Sequence, residues 1–322
     1  MTNDKLRKKH EELKKERISD LENNKPVKEV RNLNRNKFFH PIVRTGFRAF
    51  SKLNKQEIIV EGSFPKTDRS VIVSPNHTRK TDIEMIKAAI PNQMILLSGD
   101  FDNIHGTPDG TILEQDGIMY LDMKDELDRK NIIEVEKQVL NAGFNILPFY
   151  EATWNLSPNE IVYDGYFSII QTAIDTNSLV LPIAFEHPIV YKKENGKDVY
   201  EKGKKAYIKI GEPIDYRKIY GNKKLSKQEK IEGLELLKTK IATLVYELWE
   251  KHGQFKRGDL PDDFWEHYLD IIVNEWKFTK EEIDSKRFID KDKEEALDKK
   301  EEITKTLGNN FFDKPVLNYH KF

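Results

Sequence analysis

His77 and Asp82 stand five positions apart, directly behind the apolar run Ser70-Val71-Ile72-Val73 and the breaker Pro75-Asn76. Histidine is the side chain whose ordinary ionisation suits proton transfer near neutrality, and a neighbouring carboxylate fixes its tautomer and steadies the imidazolium. The two together are the base half of a hydroxyl-activating triad. Their spacing dictates where they must lie. Five positions along a helix turn through about 500°, which leaves the side chains roughly 140° apart and out of reach. Pairing therefore requires His77 ahead of a helix and Asp82 in its first turn, where a carboxylate also suits the helix dipole. No evident protein nucleophile stands beside the pair, so the hydroxyl activated would belong to a substrate. A chain with eight histidines and 55 acidic residues meets this spacing by chance. The strand-like run before it and the helix-like Ile83-Glu84-Met85-Ile86-Lys87-Ala88-Ala89-Ile90 after it are what single it out.

The elements that must hold such a pair are legible in the hydrophobic pattern. Gln56–Gly62, Ser70–Val73, Gln93–Leu97, Gly117–Leu121, Phe144–Pro148, Leu179–Phe185 and Ala206–Ile210 have the length and composition of strands. Helical periodicity falls between them at Thr81–Ile90, Arg129–Ala142 and Tyr163–Asp175. Strands alternating with helices predict an α/β fold, a layered mixed sheet flanked by helices. A helix over Lys227–Lys251 closes the region, with Leu234, Leu237, Ile241, Leu244, Val245 and Leu248 on one stripe. Three segments follow from composition: a charged, solvated N-terminal arm over 1–36, an α/β domain over 37–252, and a charged helical extension over 253–322. In the last, Phe264-Trp265, Tyr268-Leu269, Ile272 and Trp276 would dock on the main domain.

Composition removes several classes of function. A net charge of −1 gives no argument for nucleic acid as a partner. The absence of cysteine leaves no disulfide framework, thiolate nucleophile or cysteine metal site, which suits a reducing cytoplasm. The remaining histidines lack metal-ligand spacing, so no metal is expected. The acidic run Asp109, Glu114, Asp116, Asp122, Asp125, Glu126, Asp128 lacks the alternation of a calcium loop and reads as a solvated face. Leu179–Phe185 and Ile241–Trp249 are the longest apolar runs and fall short of a bilayer span, so the chain is expected in the cytoplasm, at most peripheral on the membrane's cytoplasmic face. One segment bears on that contact. Phe38–Lys52 interleaves bulky apolar groups with Arg44, Arg48 and Lys52, and a helix there would put Phe39, Val43, Phe47 and Phe50 on one face. Such a face either lies in the interface of an anionic bilayer or packs on the domain; the sequence allows both.

Glu151 follows the apolar run Leu147-Pro148-Phe149-Tyr150, at a strand end where α/β proteins place ligand-binding groups. Thr153 is a hydroxyl within its reach.

These residues together resemble the glycerolipid acyltransferase superfamily, whose type members acylate glycerol-3-phosphate or lysophosphatidic acid. Its first block, Asn-His-x4-Asp, is matched by Asn76, His77 and Asp82. Its second, Gly-x-x-Phe-x-Asp-Arg, is matched in part by Gly117-Ile118-Met119-Tyr120-Leu121-Asp122-Met123, and its third, Phe-Pro-Glu-Gly-Thr-Arg, by Phe149-Tyr150-Glu151-Ala152-Thr153-Trp154. Val180-Leu181-Pro182-Ile183-Ala184 resembles the fourth, and Gly211-Glu212-Pro213-Ile214 a further segment common in the family. The resemblance spans roughly residues 55 to 250. It implies an acyl-CoA or acyl carrier protein as donor, with no metal or organic cofactor. It also implies a catalytic His77 and Asp82, and substrate contacts at Asn76, Arg79, Lys80, Gly117, Met123, Glu151, Thr153 and Trp154.

The departures matter as much. The arginines that close blocks two and three hold the acceptor's phosphate in the family, and Met123 and Trp154 stand in their places. Neither can replace the bidentate fork of a guanidinium. Either the phosphate clamp is lost, or the register is shifted toward Arg129 and Lys130, or Arg79 and Lys80 supply the charge from block one. The resemblance thus implies acyl transfer to a hydroxyl, in phospholipid or glycolipid synthesis or onto a non-phosphorylated sugar, glycolipid or amine. A catalytically idle lipid-binding module of the same fold is the alternative from another class.

Overall fold

The computed structural model describes residues 3–78, 81–99, 101–152, 155, 161–165 and 168–252. Its strands are β1 (Glu57–Glu61), β2 (Val71–Pro75), β3 (Met94–Ser98), β4 (Ile118–Tyr120), β5 (Asn145–Leu147), β6 (Leu179–Glu186), β7 (Ile189–Glu194), β8 (Lys197–Lys202) and β9 (Lys205–Ile210). All but β7 and β8 form one sheet in the order β1-β9-β6-β2-β5-β3-β4. Every pairing in it is parallel except β6 with β9. Each of the seven runs expected as strands lies in this sheet, so the α/β class holds.

The central strands are buried on both faces, which explains why they read as continuous apolar runs rather than alternating ones. Alternation nonetheless sorts their side chains. Ile72, Ile95, Met119, Ile146 and Val180 pack on one face beneath α7 (Glu126–Asn141), α8 (Ser168–Thr176) and α10 (Lys227–His252). Val71, Val73, Met94, Leu96, Leu147, Leu181 and Ile183 pack on the other beneath α3 (Leu33–Leu53), α4 (Asp82–Ala89) and α6 (Pro108–Asp116). The expected α10 stripe is buried at Leu234, Leu237, Ile241, Val245 and Leu248. The short helices α2 (Lys28–Arg31), α5 (Phe101–Ile104) and α9 (Tyr216–Tyr220) fill connections.

The solvated arm expected over 1–36 is instead a docked layer. Its helix α1 (Asn3–Glu22) buries Leu6 against Phe101 and Tyr120. Arg17, almost fully enclosed, donates to Asp128 at 2.6 Å, to Glu29 at 2.8 Å and to the Tyr120 carbonyl at 2.8 Å. Lys14 reaches Asp122 and Asp125 at 2.9 and 3.1 Å. The sparse apolar seam of Leu6, Leu13 and Leu21 was hidden among charges whose partners lie a hundred positions away. For the same reason the acidic run is not wholly solvated: Asp128 is buried by Arg17, and Asp116 by Lys87 and His40. Burial alone would raise the Asp116 carboxyl, but Lys87 and His40 outweigh it and hold it below the usual carboxylate range.

The β7–β8 hairpin was not anticipated, although Asn195-Gly196 with both residues at positive φ is the turn such a hairpin needs. Helix α6 was also missed; it begins at Pro108 behind the Thr107 cap. The expected extension over 253–322 lies outside the described residues.

Candidate active site

β2 ends at Pro75, and Asn76 carries its pairing one step further by a side chain. The Asn76 amide donates to the Phe185 carbonyl at 3.0 Å and accepts from the Phe185 amide at 2.7 Å. This bridge continues the β2–β6 ladder beyond its last backbone pair and fixes the exit of the chain at His77. Asn76 is fully buried, and both bonds to Phe185 are structural.

His77 follows, ahead of the helix, and Asp82 is the first residue of α4, as their spacing demands. Nδ1 of His77 lies 2.8 Å from Oδ2 of Asp82, and the same oxygen accepts the Thr78 amide at 3.1 Å. A carboxylate at Nδ1 selects the tautomer with its proton there, leaving the lone pair on Nε2. Asp82 is wholly enclosed while the His77 side chain is 13% exposed, so the dyad has a buried end and an open end. The His77 ring leans on Phe149, centroids 4.1 Å apart at 35°. Phe149 lies two residues beyond β5, the strand beside β2, and register alone could have identified it.

Glu151 holds this arrangement from below. Its two oxygens accept the backbone amides of His77 at 2.7 Å and Tyr163 at 2.8 Å. The Asn155 amide closes on the His77 carbonyl at 2.5 Å. Glu151 is fully buried, and through these bonds it sets the backbone of the base. The His77 and Thr78 amides are thus both occupied.

Glu84, two positions after Asp82, went unnoticed in the sequence. Burial, with the charges of Asp82 and Asp109 adding to it, pushes its carboxyl up to about 8. One of its oxygens is enclosed without a hydrogen-bond partner.

The remaining expected contacts divide. Met123, just beyond β4, packs in part against the core, and its carbonyl accepts from Arg129 at 2.5 Å. Lys130 pairs with Glu126. Gly117 does not meet His77: it precedes β4 at the opposite end of the sheet's edge strand, three strands from β2, or about 14 Å sideways. It is glycine because φ is +108° and a Cβ there would lie 2.5 Å from Ile95 Cδ1. Arg79, Lys80, Thr153 and Trp154 lie outside the described residues.

Placed at the carboxyl ends of β2 and β5, the dyad lies where the sheet's connections diverge. α4 leaves over one face toward β3, and α8 leaves over the other toward β6. That crevice is where open α/β sheets bind ligands. The geometry can remove a proton from a hydroxyl brought to the open side of His77.

No family model and no curated protein sequence matches the chain. Among solved structures, it is similar to the crystal structure of the 1-acyl-sn-glycerophosphate (LPA) acyltransferase PlsC from Thermotoga maritima. The identity is 17% and the TM-score 0.48, over 69% of this chain and 83% of that one. The likeness is one of overall fold.

Proposed function

We propose that this chain is an acyltransferase that moves a fatty acyl group from a thioester to an acceptor hydroxyl. The observation that carries the proposal is the His77–Asp82 pair at 2.8 Å, its carboxylate enclosed and its imidazole open at the sheet's carboxyl edge. His77 takes the hydroxyl proton through Nε2 as the acceptor oxygen attacks the thioester carbonyl. Asp82 stabilises the imidazolium that forms. The tetrahedral intermediate then collapses, the carbon–sulfur bond breaks, and the imidazolium returns its proton to the departing thiolate. The products are an ester and a free thiol. Acyl-CoA or an acyl carrier protein serves as donor, and the residues need no metal for these steps.

Where Met123 meets the acceptor, as the sequence resemblance implies, a neutral acceptor fits better than a phosphorylated one. A phosphate set against a thioether loses its hydration with no charge to replace it. The neighbouring cation, Arg129, is turned onto the Met123 carbonyl. A sugar, glycolipid or other neutral hydroxyl compound is the substrate class that follows.

Contact with a lipid surface would run through α3. Val43 and Phe47 pack in the core, so the single stripe expected from the sequence is divided. Phe38, Ile42, Phe50 and Leu53 remain exposed, 71% in the case of Phe38. No acidic residue occurs anywhere in this helix, which also carries Arg48 and Lys52. Among the described residues no helix is long and apolar enough to cross a membrane. An anionic bilayer surface met by this face would bring a lipid acceptor to the site.

Incubating the protein with a labelled acyl thioester and a panel of acceptors tests the proposal. Acceptor-dependent release of thiol supports it. Absence of thiol release with every acceptor would leave a lipid-binding module in its place.

A further inference from the structure

Away from the dyad, a cavity of about 200 Å³ lies along the free edge of the sheet, between β4 and the N-terminal helices. Its wall includes Lys9 and Arg17 of α1, Arg35 of α3, His105, Glu114 and Tyr120. It is smaller than the pockets that hold drug-sized ligands, and at about 30 Å³ per water it equals the space of some six waters.

Two nitrogens of this wall are buried with no hydrogen-bond partner: Nε of Arg17 and Nε2 of His105. Both residues are more than nine-tenths buried. The Arg17 guanidinium places its other two nitrogens on Asp128, Glu29 and the Tyr120 carbonyl, so Nε is its one nitrogen without an acceptor among the described residues. His105 is held through Nδ1, 2.5 Å from Oε1 of Glu114, which also accepts the Tyr120 hydroxyl at 2.9 Å. With its Nδ1 proton on the carboxylate, His105 presents Nε2 as an acceptor, or as a donor once charged. Buried polar atoms are seldom left bare, and these two belong to residues that line one cavity. The charge of the wall says which sign it has. Lys9 and Arg35 are exposed and form no ion pair among the described residues, while Glu29 and Glu114 are engaged by Arg17 and by His105 and Tyr120.

We infer that this cavity binds a small phosphate group, as free phosphate or as a compact monoester. Near neutrality such a group carries both acceptor oxygens for a guanidinium and, in its monoprotonated form, a hydroxyl for an imidazole. Lys9 and Arg35 close the site with charge. Arg17 donates to the Tyr120 carbonyl, and Lys14 of the same helix holds Asp122, so an anion here would also fasten α1 to the segment that leads to Met123. The inference stands apart from the acyl-transfer proposal, because the cavity lies at β4, three strands from His77.

The test is thermal unfolding and calorimetric titration of the full chain with inorganic phosphate and, in a second arm, methyl phosphate, at constant ionic strength. A saturable rise in Tm and one binding event per chain are expected. The double variant Lys9→Ala/Arg35→Ala changes exposed side chains that no fold contact uses, and it should lose at least tenfold in affinity. His77→Ala should bind as the parent does. Binding only of inorganic phosphate identifies the free ion, and binding of both admits a monoester. No saturable binding, or equal affinity in the double variant, overturns the inference; loss of binding in His77→Ala would move the anion to the dyad and overturn it equally.

Discussion

Replacing Glu151 with Gln tests whether the base is held through its backbone. The wild-type carboxylate accepts the amides of His77 and Tyr163, one on each oxygen, in a fully buried position. Glutamine preserves the shape but turns one oxygen into a donor that faces an N–H. One charge-assisted hydrogen bond, worth about 1.5–3 kcal/mol, disappears, and a buried amide is left unpaired at a further 1–3 kcal/mol or so. A loss of about 2.5–6 kcal/mol is a large part of a typical domain's 5–15 kcal/mol stability. Where the fold survives, His77 relaxes from its place, and a displacement near 1 Å lowers turnover about 100-fold. Urea unfolding followed by circular dichroism reads the first effect, and thiol release from an acyl thioester reads the second. Glu126→Gln, an exposed carboxylate paired with Lys130, is the control and should change neither. A Glu151→Gln protein within about 0.5 kcal/mol of wild type and with near-normal turnover would refute this account of the site.

Glu136 is buried on α7, and burial pushes its carboxyl from an ordinary 4.5 up to about 8, against a weaker pull from Lys137. The folded state therefore keeps a proton that the unfolded chain releases, and stability falls as pH rises from about 4.5 to about 8, by up to about 1.4 kcal/mol per unit. In Glu136→Met that fall should be shallower by a few kcal/mol across the window; an unchanged slope in denaturant titrations at pH 5, 6.5 and 8 would count against it. Phe38→Ser with Phe50→Ser should weaken sedimentation with anionic vesicles at least several-fold without altering Tm, because both rings are exposed. Equal binding by that pair would take α3 out of any lipid contact. Lysophosphatidic acid should be a poorer acceptor than its dephosphorylated analogue. A strong preference for the phosphorylated form, lost on Arg79→Ala or Lys80→Ala, would restore a phosphate clamp from block one.

The sheet and the dyad were readable because both depend on local pattern. Seven apolar runs became the seven strands, and the five-residue gap between His77 and Asp82 forced one of them outside the helix. What escaped depends on distant pairing. Arg17 and Asp128 look like surface charges until the fold joins them across 111 positions. Asn76 and Glu151 have the residue types of substrate ligands, and only the fold reveals their enclosure against Phe185, His77 and Tyr163. Gly117 opens a sequence block that suggests the active site, yet strand order carries it to the far edge. In α3 the periodicity was sound, but helical spacing cannot say which apolar residues the core takes. It takes Val43 and Phe47 and leaves Phe38, Ile42 and Phe50 outside.

The central claim is that His77, oriented by Asp82, is the general base of an acyl transfer. Its most direct test is thioester turnover by wild type, His77→Ala and Asp82→Asn, each first shown to unfold at a normal urea midpoint. A positioned base contributes about 10²–10⁴-fold, so the His77→Ala protein should lose turnover by that factor. Asp82→Asn should fall strongly as well, through the wrong tautomer and the missing charge. Near-normal thiol release from a well-folded His77→Ala protein would contradict the account.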